Sequence, residues 1–414
     1  MKVIIGAAAN NAHLYQVGQA MEEAGALCRY ILPFGGFPLR HPVVFSRRSP
    51  AGISKSSLEH HPAWDIARLA ASKLRLPDPW IDLIWEREEL SFDKACSRSV
   101  ASERPDVFLG VEHAALASLR ESSRIGTAAG LIYPSLHHLF RKKWLDPELA
   151  RYPELLSRSA RIIRERDASR DYRRDEEMRA AEFIHANSAT TARSLVEAGY
   201  PPDRIITVPL GAPPAIAESE LASHPPDVPT ALFAGNVALH KGAHHLIEAW
   251  RRVAGTRNAR LDLYGAWALP ESFRPSRGEN IHAHGRVPHE VVRDAMRRAS
   301  VLVLPSVCDG FGMVVTEAMA QGLPVICSLN AGASQMVVDG VNGFVVPAAD
   351  PERLGERLTW CVENPMELLA MGRNAAETAR HWSWADFRAR FTRDLYAMLG
   401  HIGASPSRAP AMTR

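Results

Sequence analysis

Cysteine offers this chain no framework. There are five (Cys28, Cys96, Cys308, Cys327 and Cys361), odd in number and scattered, with no CxxC pair and no Cys/His cluster. A disulfide scaffold and a cysteine-ligated zinc site are therefore excluded, and no metal is expected. No apolar run is long enough to span a bilayer and no signal-peptide pattern opens the chain, so a cytoplasmic location is expected. The formal charge of +3 is too small to argue for a nucleic-acid partner. It leaves room for a face that meets phosphates, or for peripheral contact with the anionic inner surface of a membrane. The first glycine-containing loop lacks GxGxxG, so a dinucleotide cofactor is not indicated. With 46% hydrophobic and 23% charged residues, the 414-residue chain is ordinary globular material, long enough for two or three domains.

What is present is organised around residues 301–322, VLVLPSVCDGFGMVVTEAMAQG. Four apolar residues and Pro305 read as a strand buried on both faces of a parallel sheet. A small-residue loop with Asp309 follows, then a helix from Met313 stopped by Gly322 and Pro324. Glu317 lies inside that helix, with seven residues between it and Asp309. Strand, glycine loop and helix leave backbone N–H groups at a helix start, where the macrodipole favours negative charge. Gly310 and Gly312 let backbone approach a bound group closely. A phosphate flanked by two acids would suit a nucleotide-sugar. An ordinary strand–helix unit with a solvated Asp and a surface Glu accounts for the pattern equally well. Cys308 reads as a small loop residue, since no base is tied to it.

The chain opens with a strand, a loop (residues 6–13) and a helix ending at Gly25, then a strand over 27–32, the start of a Rossmann-like domain. Asn10, Asn11 and His13 fall at the carboxyl end of the first strand, where open α/β sheets bind ligands, although helix capping explains Asn10 or Asn11 as well. Residues 33–94 read as irregular decoration, interrupted by helical pieces, that shapes an acceptor pocket. A buried strand at 107–110 ends at Glu112 and His113, and another at 131–133 ends at His137 and His138. Adjacent histidines on a helix diverge, so one of the two at most is expected to face a ligand. The mixed charges from 140 to 182 read as the solvated face of long helices. A strand at 183–186, a helix capped by Ser188 and a strand at 205–208 close the half.

Residues 212–229 have a linker composition, and the βα rhythm then restarts. Strands are expected at 231–234, 260–264, 281–284, 301–304, 324–327 and 343–346, with three closing helices from 351 to 399. Lys241, near the start of the helix at 244–253, could neutralise a phosphate; an exposed lysine is the plainer account.

These segments resemble the GT-B glycosyltransferases of family 4, retaining enzymes that use nucleotide-sugars. CDGFGMVVTEAMAQGLPV is similar to that family's E-x7-E segment, ALFAGNVALHKGAHHLIEAW to its GR-x4-KG opening, FIHANSATTARSLVEAGYPPDRIITVPLGA to the end of its first domain, and DGVNGFVVPAADPERL to the segment after the site. The resemblance implies two Rossmann-like domains facing each other across a cleft. The first, over 1–211, would take the acceptor and the second, over 230–380, the donor. A linker at 212–229 would join them, a helix at 381–400 would cross back to the first domain, and a disordered tail would follow from 401.

The resemblance also implies roles. Lys241 would contact the donor diphosphate and Glu317 the ribose. Asp309 with Gly310, Phe311 and Gly312 would hold the sugar and phosphate, at the start of the Met313 helix. Gly235 and Asn236 would border the phosphates, Arg286 and Val287 the base, and His137, or else His138, the sugar. Asn10, Asn11, His13, Glu112, His113 and His138 remain acceptor-side candidates. Asn236 stands where the family has Arg, Asp309 where it has Glu, and Gln335 where an acid is common. The implied activity is transfer of a sugar from a UDP- or GDP-sugar to a hydroxyl of a glycan, glycolipid or small molecule, without a cofactor or metal. A nucleotide-binding subunit without turnover, supported by Asn236, and a GT-B epimerase or phosphorylase are the alternatives.

Overall fold

The computed structural model describes residues 1–9, 11–33, 52–155, 167–254 and 258–403. Thirteen strands among these residues form two sheets, every named pair parallel. In chain order the first lobe holds β1 (Val3–Gly6), β2 (Leu27–Leu32), β3 (Leu58–His60), β4 (Val107–Val111), β5 (Ala128–Tyr133), β6 (Phe183–Ala186) and β7 (Ile205–Thr207). The second holds β8 (Thr230–Ala234), β9 (Arg260–Tyr264), β10 (Ile281–Gly285), β11 (Val301–Leu304), β12 (Val325–Ser328) and β13 (Gly343–Val346). The spatial orders are 3-2-1-4-5-6-7 and 10-9-8-11-12-13. Each order reverses once, between β1 and β4 and between β8 and β11. At such a switch point neighbouring crossovers leave on opposite faces, so a crevice opens at the carboxyl ends of the strands.

The strands are apolar because both faces are covered by helices. All of β1, β4, β5, β6, β8, β11 and β12 are buried, and each fully buried Val, Ile or Leu there gains roughly 1.5–3 kcal/mol over exposure. β10 departs from this pattern: only Ile281 of its five residues is buried, since it forms the sheet edge.

In residues 33–94, expected to be irregular with helical pieces, the structure places the helices and adds a strand. Residues 34–51 lie outside the described part, but β3, the helix Ala63–Lys73 and the 26-residue helix Asp78–Glu103 lie within and just beyond the remainder. The long helix escaped detection because acids interrupt its buried face. Asp93 accepts hydrogen bonds from Ala117 N–H (2.6 Å) and Ser118 N–H (3.0 Å), and Glu88 accepts from Arg68 (3.1 Å). A helix His289–Arg298 was likewise not foreseen; most of its residues are polar and exposed.

The 140–182 run is corrected in part. The helices His138–Arg151 and Asp167–Ala180 do form, and residues 156–166 lie outside the described part. Lys142, Lys143, Asp146 and Arg179 are exposed and Arg179 pairs locally with Glu176, as a solvated face would. Glu148, Asp171, Arg173 and Glu177, however, are buried, and Asp171 reaches Lys142 and Arg173 reaches Glu89 on other helices.

The segment after β7 is fastened to the second lobe. Ile216 is buried, donates its N–H to Ala320 O (2.9 Å) and accepts from Arg380 Nη2 (3.3 Å). The two chain crossings between lobes touch at Gly211 and Ala212. Ala212 N–H donates to Trp382 O (2.6 Å), and a Cβ on Gly211 would lie 2.7 Å from Trp384 backbone.

The last helix, Trp384–His401, lies against the first helix, Ala12–Glu23, through Arg388 to Glu23 (2.8 Å) and to Gln16 (2.6 Å). Its Phe391 meets the His185 ring edge-on at 5.0 Å. The Pro- and Ser-rich tail beyond 403 lies outside the described residues.

His185 and His13 are both buried and uncharged. Burial, reinforced by its neighbour His13, pushes His185 down to about 3, and burial pushes His13 down to about 4. The unfolded chain binds these protons near the usual 6.5. Their contribution is therefore fully present above pH 6.5 and is lost as pH falls through about 4 for His13 and about 3 for His185. We expect urea midpoints to fall across that window, and His185→Phe to flatten the fall while changing stability at pH 8 by less than about 1.5 kcal/mol, as a buried swap of similar volume does.

Candidate active site at the two switch points

In the second lobe the loops after β8 and β11 meet. The turn Leu239–Lys241 ends at Gly242, whose φ of +67° and contact with Pro305 O (1.9 Å from a built Cβ) admit no side chain. This glycine seats the β8 loop on the strand-end of β11. Lys241 Nζ then reaches Asp309 Oδ2 at 2.5 Å, with Ser306 Oγ at 3.4 Å from the same oxygen. Both partners of this ion pair are partly accessible.

Gly312, at φ +84°, is the N-cap of the helix Met313–Ala320, and no side chain caps it. A bare helix start therefore stands beside a lysine, a combination suited to a phosphate. Phe311 is buried beneath the turn and Met313 is half-buried. Glu317, one turn further, lies 3.4 Å from His289, two residues beyond the half-buried Val287 and three beyond the exposed Arg286. Gly235 has φ +145°, and Asn236 is exposed.

In the first lobe a cavity of about 620 Å³ opens at the β1/β4/β5 strand ends. Asn11, Glu112, His113 and His138 line it. Asn11 is the N-cap of its helix, yet its side chain makes no capping bond, which leaves the amide toward the cavity. Asn10 lies outside the described residues. His13 does not line the cavity and is buried.

His113 sits at φ +78°, an uncommon conformation for its type. Glu177 holds that turn by accepting from His113 N–H (2.7 Å) and Ala115 N–H (3.0 Å), and Arg174 Nη2 lies 2.8 Å from the His113 ring. Burial acts to raise the Glu112 carboxyl, but His113, Arg174 and the Ser135 hydroxyl together hold it below the ordinary range.

The two histidines do not lie on one helix. His137 is the N-cap with extended backbone, accepting from Leu139 N–H (3.3 Å), and it is 1% exposed. His138 is the first helical residue. Both rings reach Asp175 Oδ1, at 3.2 and 2.8 Å. The expectation that adjacent histidines diverge fails because the backbone changes conformation between them. His138, not His137, lines the cavity.

Several lining residues were missed. Lys142 and Arg174 hold Asp171 at 2.6 and 3.2 Å, and Arg170 pairs with Asp82 at 2.8 Å. Burial raises the Asp171 carboxyl, but Lys142, His138 and Arg174 outweigh it and pull it down. The signal was available: positions 167, 170, 171, 174 and 178 share one helical face that also carries Met178.

Burial pushes the Cys308 thiol up to about 11, which leaves it an inert packing residue beside Leu136 and Phe140. Two groups among the described residues have metal-ligating composition, His137–His138–Asp175 and Glu148–His244–His245.

The lobes touch at the site itself. Gly310 O accepts from Ser188 Oγ (2.8 Å) and Thr191 Oγ1 (3.2 Å), and Gln335 Oε1 accepts from Ala189 N–H (3.2 Å).

Residues 218–378 match the family model for glycosyl transferases group 1. Among similar proteins, an uncharacterized glycosyltransferase of Methanocaldococcus jannaschii is 31% identical over 157 residues, 37% of this chain and 44% of that protein. D-inositol 3-phosphate glycosyltransferase 1 of Catenulispora acidiphila is 29% identical over 50% of this chain and 55% of its own length. The chain thus spans about half the length of the curated relatives it matches.

The sucrose-phosphate synthase of Thermosynechococcus elongatus superposes with a TM-score of 0.63 at 17% identity, over 97% of this chain and 100% of that one. Anabaena HepE in complex with UDP gives 0.62 at 15%, over 96% and 100%. These superpositions establish a two-lobed, GT-B-like α/β fold. Among the described residues no helix is long and apolar enough to cross a membrane.

A Cβ on Gly310 would lie 2.2 Å from Pro134 O of the first lobe. Gly310→Ala is therefore expected to separate the lobes while each stays folded. Small-angle scattering should show a larger radius of gyration with unchanged circular dichroism; an unchanged radius would contradict the contact.

Proposed function

We propose that this protein is a retaining glycosyltransferase of the GT-B type, similar to family 4, that moves a sugar from a nucleotide-diphosphate donor to an acceptor hydroxyl. The observation that carries the reading is the meeting of Lys241, Asp309 and the uncapped start of the Met313–Ala320 helix at one switch point. The group 1 match over the same residues supports it.

The second lobe would hold the donor. Lys241 and the helix start would take the diphosphate charge, stabilising the leaving group where charge develops. Asp309 pairs with Lys241 in the structure, so an entering diphosphate would take over that lysine and release the carboxylate toward the sugar. With no arginine at position 236, the lysine and the helix start would carry more of the charge. Glu317 would hold the ribose and Arg286–Val287 the base. Two structural neighbours are UDP complexes, which supports a uridine donor, with GDP as the other expectation.

The first-lobe cavity would take the acceptor. Acids and cations of both signs line it, which suits a polyhydroxylated molecule: a glycan, a glycolipid headgroup or a small polyol. Retention would follow from attack on the face the leaving group departs from. The donor phosphate would accept the acceptor's proton, so neither a separate base nor a divalent metal is needed. Closure of the lobes would exclude water.

Lys241→Ala and Glu317→Ala are each expected to lower transfer by about 100-fold or more, with circular dichroism unchanged. A thermal-shift series with UDP-, GDP- and ADP-sugars should show one base raising the melting temperature. Rates like wild type in both variants would remove the assignment. Nucleotide binding with no product from any donor and acceptor would favour the non-catalytic alternative.

A further inference from the structure

Behind the donor loop a second cluster bridges the lobes. Glu148 belongs to the first-lobe helix His138–Arg151, and His244 and His245 open the second-lobe helix Ala243–Ala254, directly after the Lys241 turn. The three side chains are 6%, 2% and 1% exposed as residues. Glu148 Oε2 lies 2.7 Å from His244 Nε2 and 2.6 Å from His245 Nε2, and the two rings are 4.0 Å apart at 38°.

Hydrogen bonding explains only half of this. His244 Nε2 has a proper bond to the carboxylate. His245 Nε2 is buried and, among the described residues, has no partner of acceptable geometry, although the same oxygen is close. A ring nitrogen pressed against a carboxylate without an aligned proton is unfavourable by itself. A cation between the three donor atoms would remove the conflict.

We propose that Glu148, His244 and His245 form a structural transition-metal site, with Zn²⁺ the favoured ion, that fastens one lobe to the other. Two imidazoles and a carboxylate are a zinc donor set, with water as the fourth ligand. Tetrahedral bonds of about 2.0–2.1 Å put neighbouring donors about 3.3 Å apart, so each His–Glu separation would widen by roughly 0.6 Å. That is within side-chain adjustment.

Neither histidine's Nδ1 has a partner among the described residues. Lacking such support, the affinity should fall about 10–100-fold below that of a site in which both Nδ1–H groups donate to an acceptor. The ion would not touch the diphosphate. It would hold in register the helix that follows Lys241, and so act on the donor lysine from behind. The site does not depend on the transferase reading and can be tested without any substrate.

The test is calorimetric titration of the full chain with ZnCl₂ after chelator treatment and dialysis. One equivalent should bind and raise the melting temperature, and Co²⁺ in its place should show visible bands of tetrahedral coordination. His245→Ala and Glu148→Gln should each weaken binding at least tenfold while circular dichroism stays native. Asp175→Asn, at the other His-rich group, and His282→Ala, an exposed histidine, should bind as wild type. Absence of stoichiometric binding in the wild type would overturn the proposal, whether or not the variants fold. So would undiminished affinity in both His245→Ala and Glu148→Gln, or loss in Asp175→Asn alone.

Discussion

The arrangement depends on one close approach: the Gly310 carbonyl of the second lobe, held by the Ser188 and Thr191 hydroxyls of the first. Glycine is required there because Pro134 O leaves no space for a Cβ. The contact lies between Asp309 and Gly312, so the residues that face the proposed diphosphate and those that fasten the lobes are the same loop. The loop position is reinforced from within its own lobe, where Asp309 N–H donates to Asn330 O (3.0 Å) and Ala333 N–H to Phe311 O (2.7 Å). Movement between lobes would therefore be felt at the phosphate site without an intermediary.

Both lobes place their chemistry by the same topological rule. Strand order reverses at β1/β4 and at β8/β11, and at each reversal the loops diverge and leave polar side chains facing an opening. The second lobe equips its opening sparsely, with one lysine, two acids and a helix start. The first uses a dense network. There Glu177 and Arg174 hold the strained His113 turn, while Asp175 draws two histidine rings together. Buried networks of this sort stay in place only when each member is paired, because an unpaired charge in a low-dielectric setting is costly.

Between the lobes, Leu136 and Phe140 pack against Cys308, and Tyr152 meets the Phe273 ring at 6.1 Å. Polar groups add Tyr152 to Glu248 (3.2 Å) and the Glu148–histidine cluster. Around the chain crossings the apolar core runs on from one lobe to the other.

The sequence alone determined the parallel βα frame and the strand–loop–helix unit around Asp309. Both rest on local patterns: a run of four or five apolar residues marks a strand buried on both faces, and residues 301–317 carry loop, glycines and acids within one strand–helix unit. Ser188 was legible as a cap for the same reason. The long helix Asp78–Glu103 and the charged wall at 167–178 were not legible. Their buried charges find partners up to 88 residues away, as Arg170 does at Asp82, and distant pairing leaves no local period. Tertiary structure alone decided that His138 rather than His137 faces the cavity, and that Glu148 meets two histidines, the nearer in sequence 96 residues further on. Local pattern reports which face of an element is buried. Which charges meet there depends on how separate elements pack, and that information is not in any one stretch of chain.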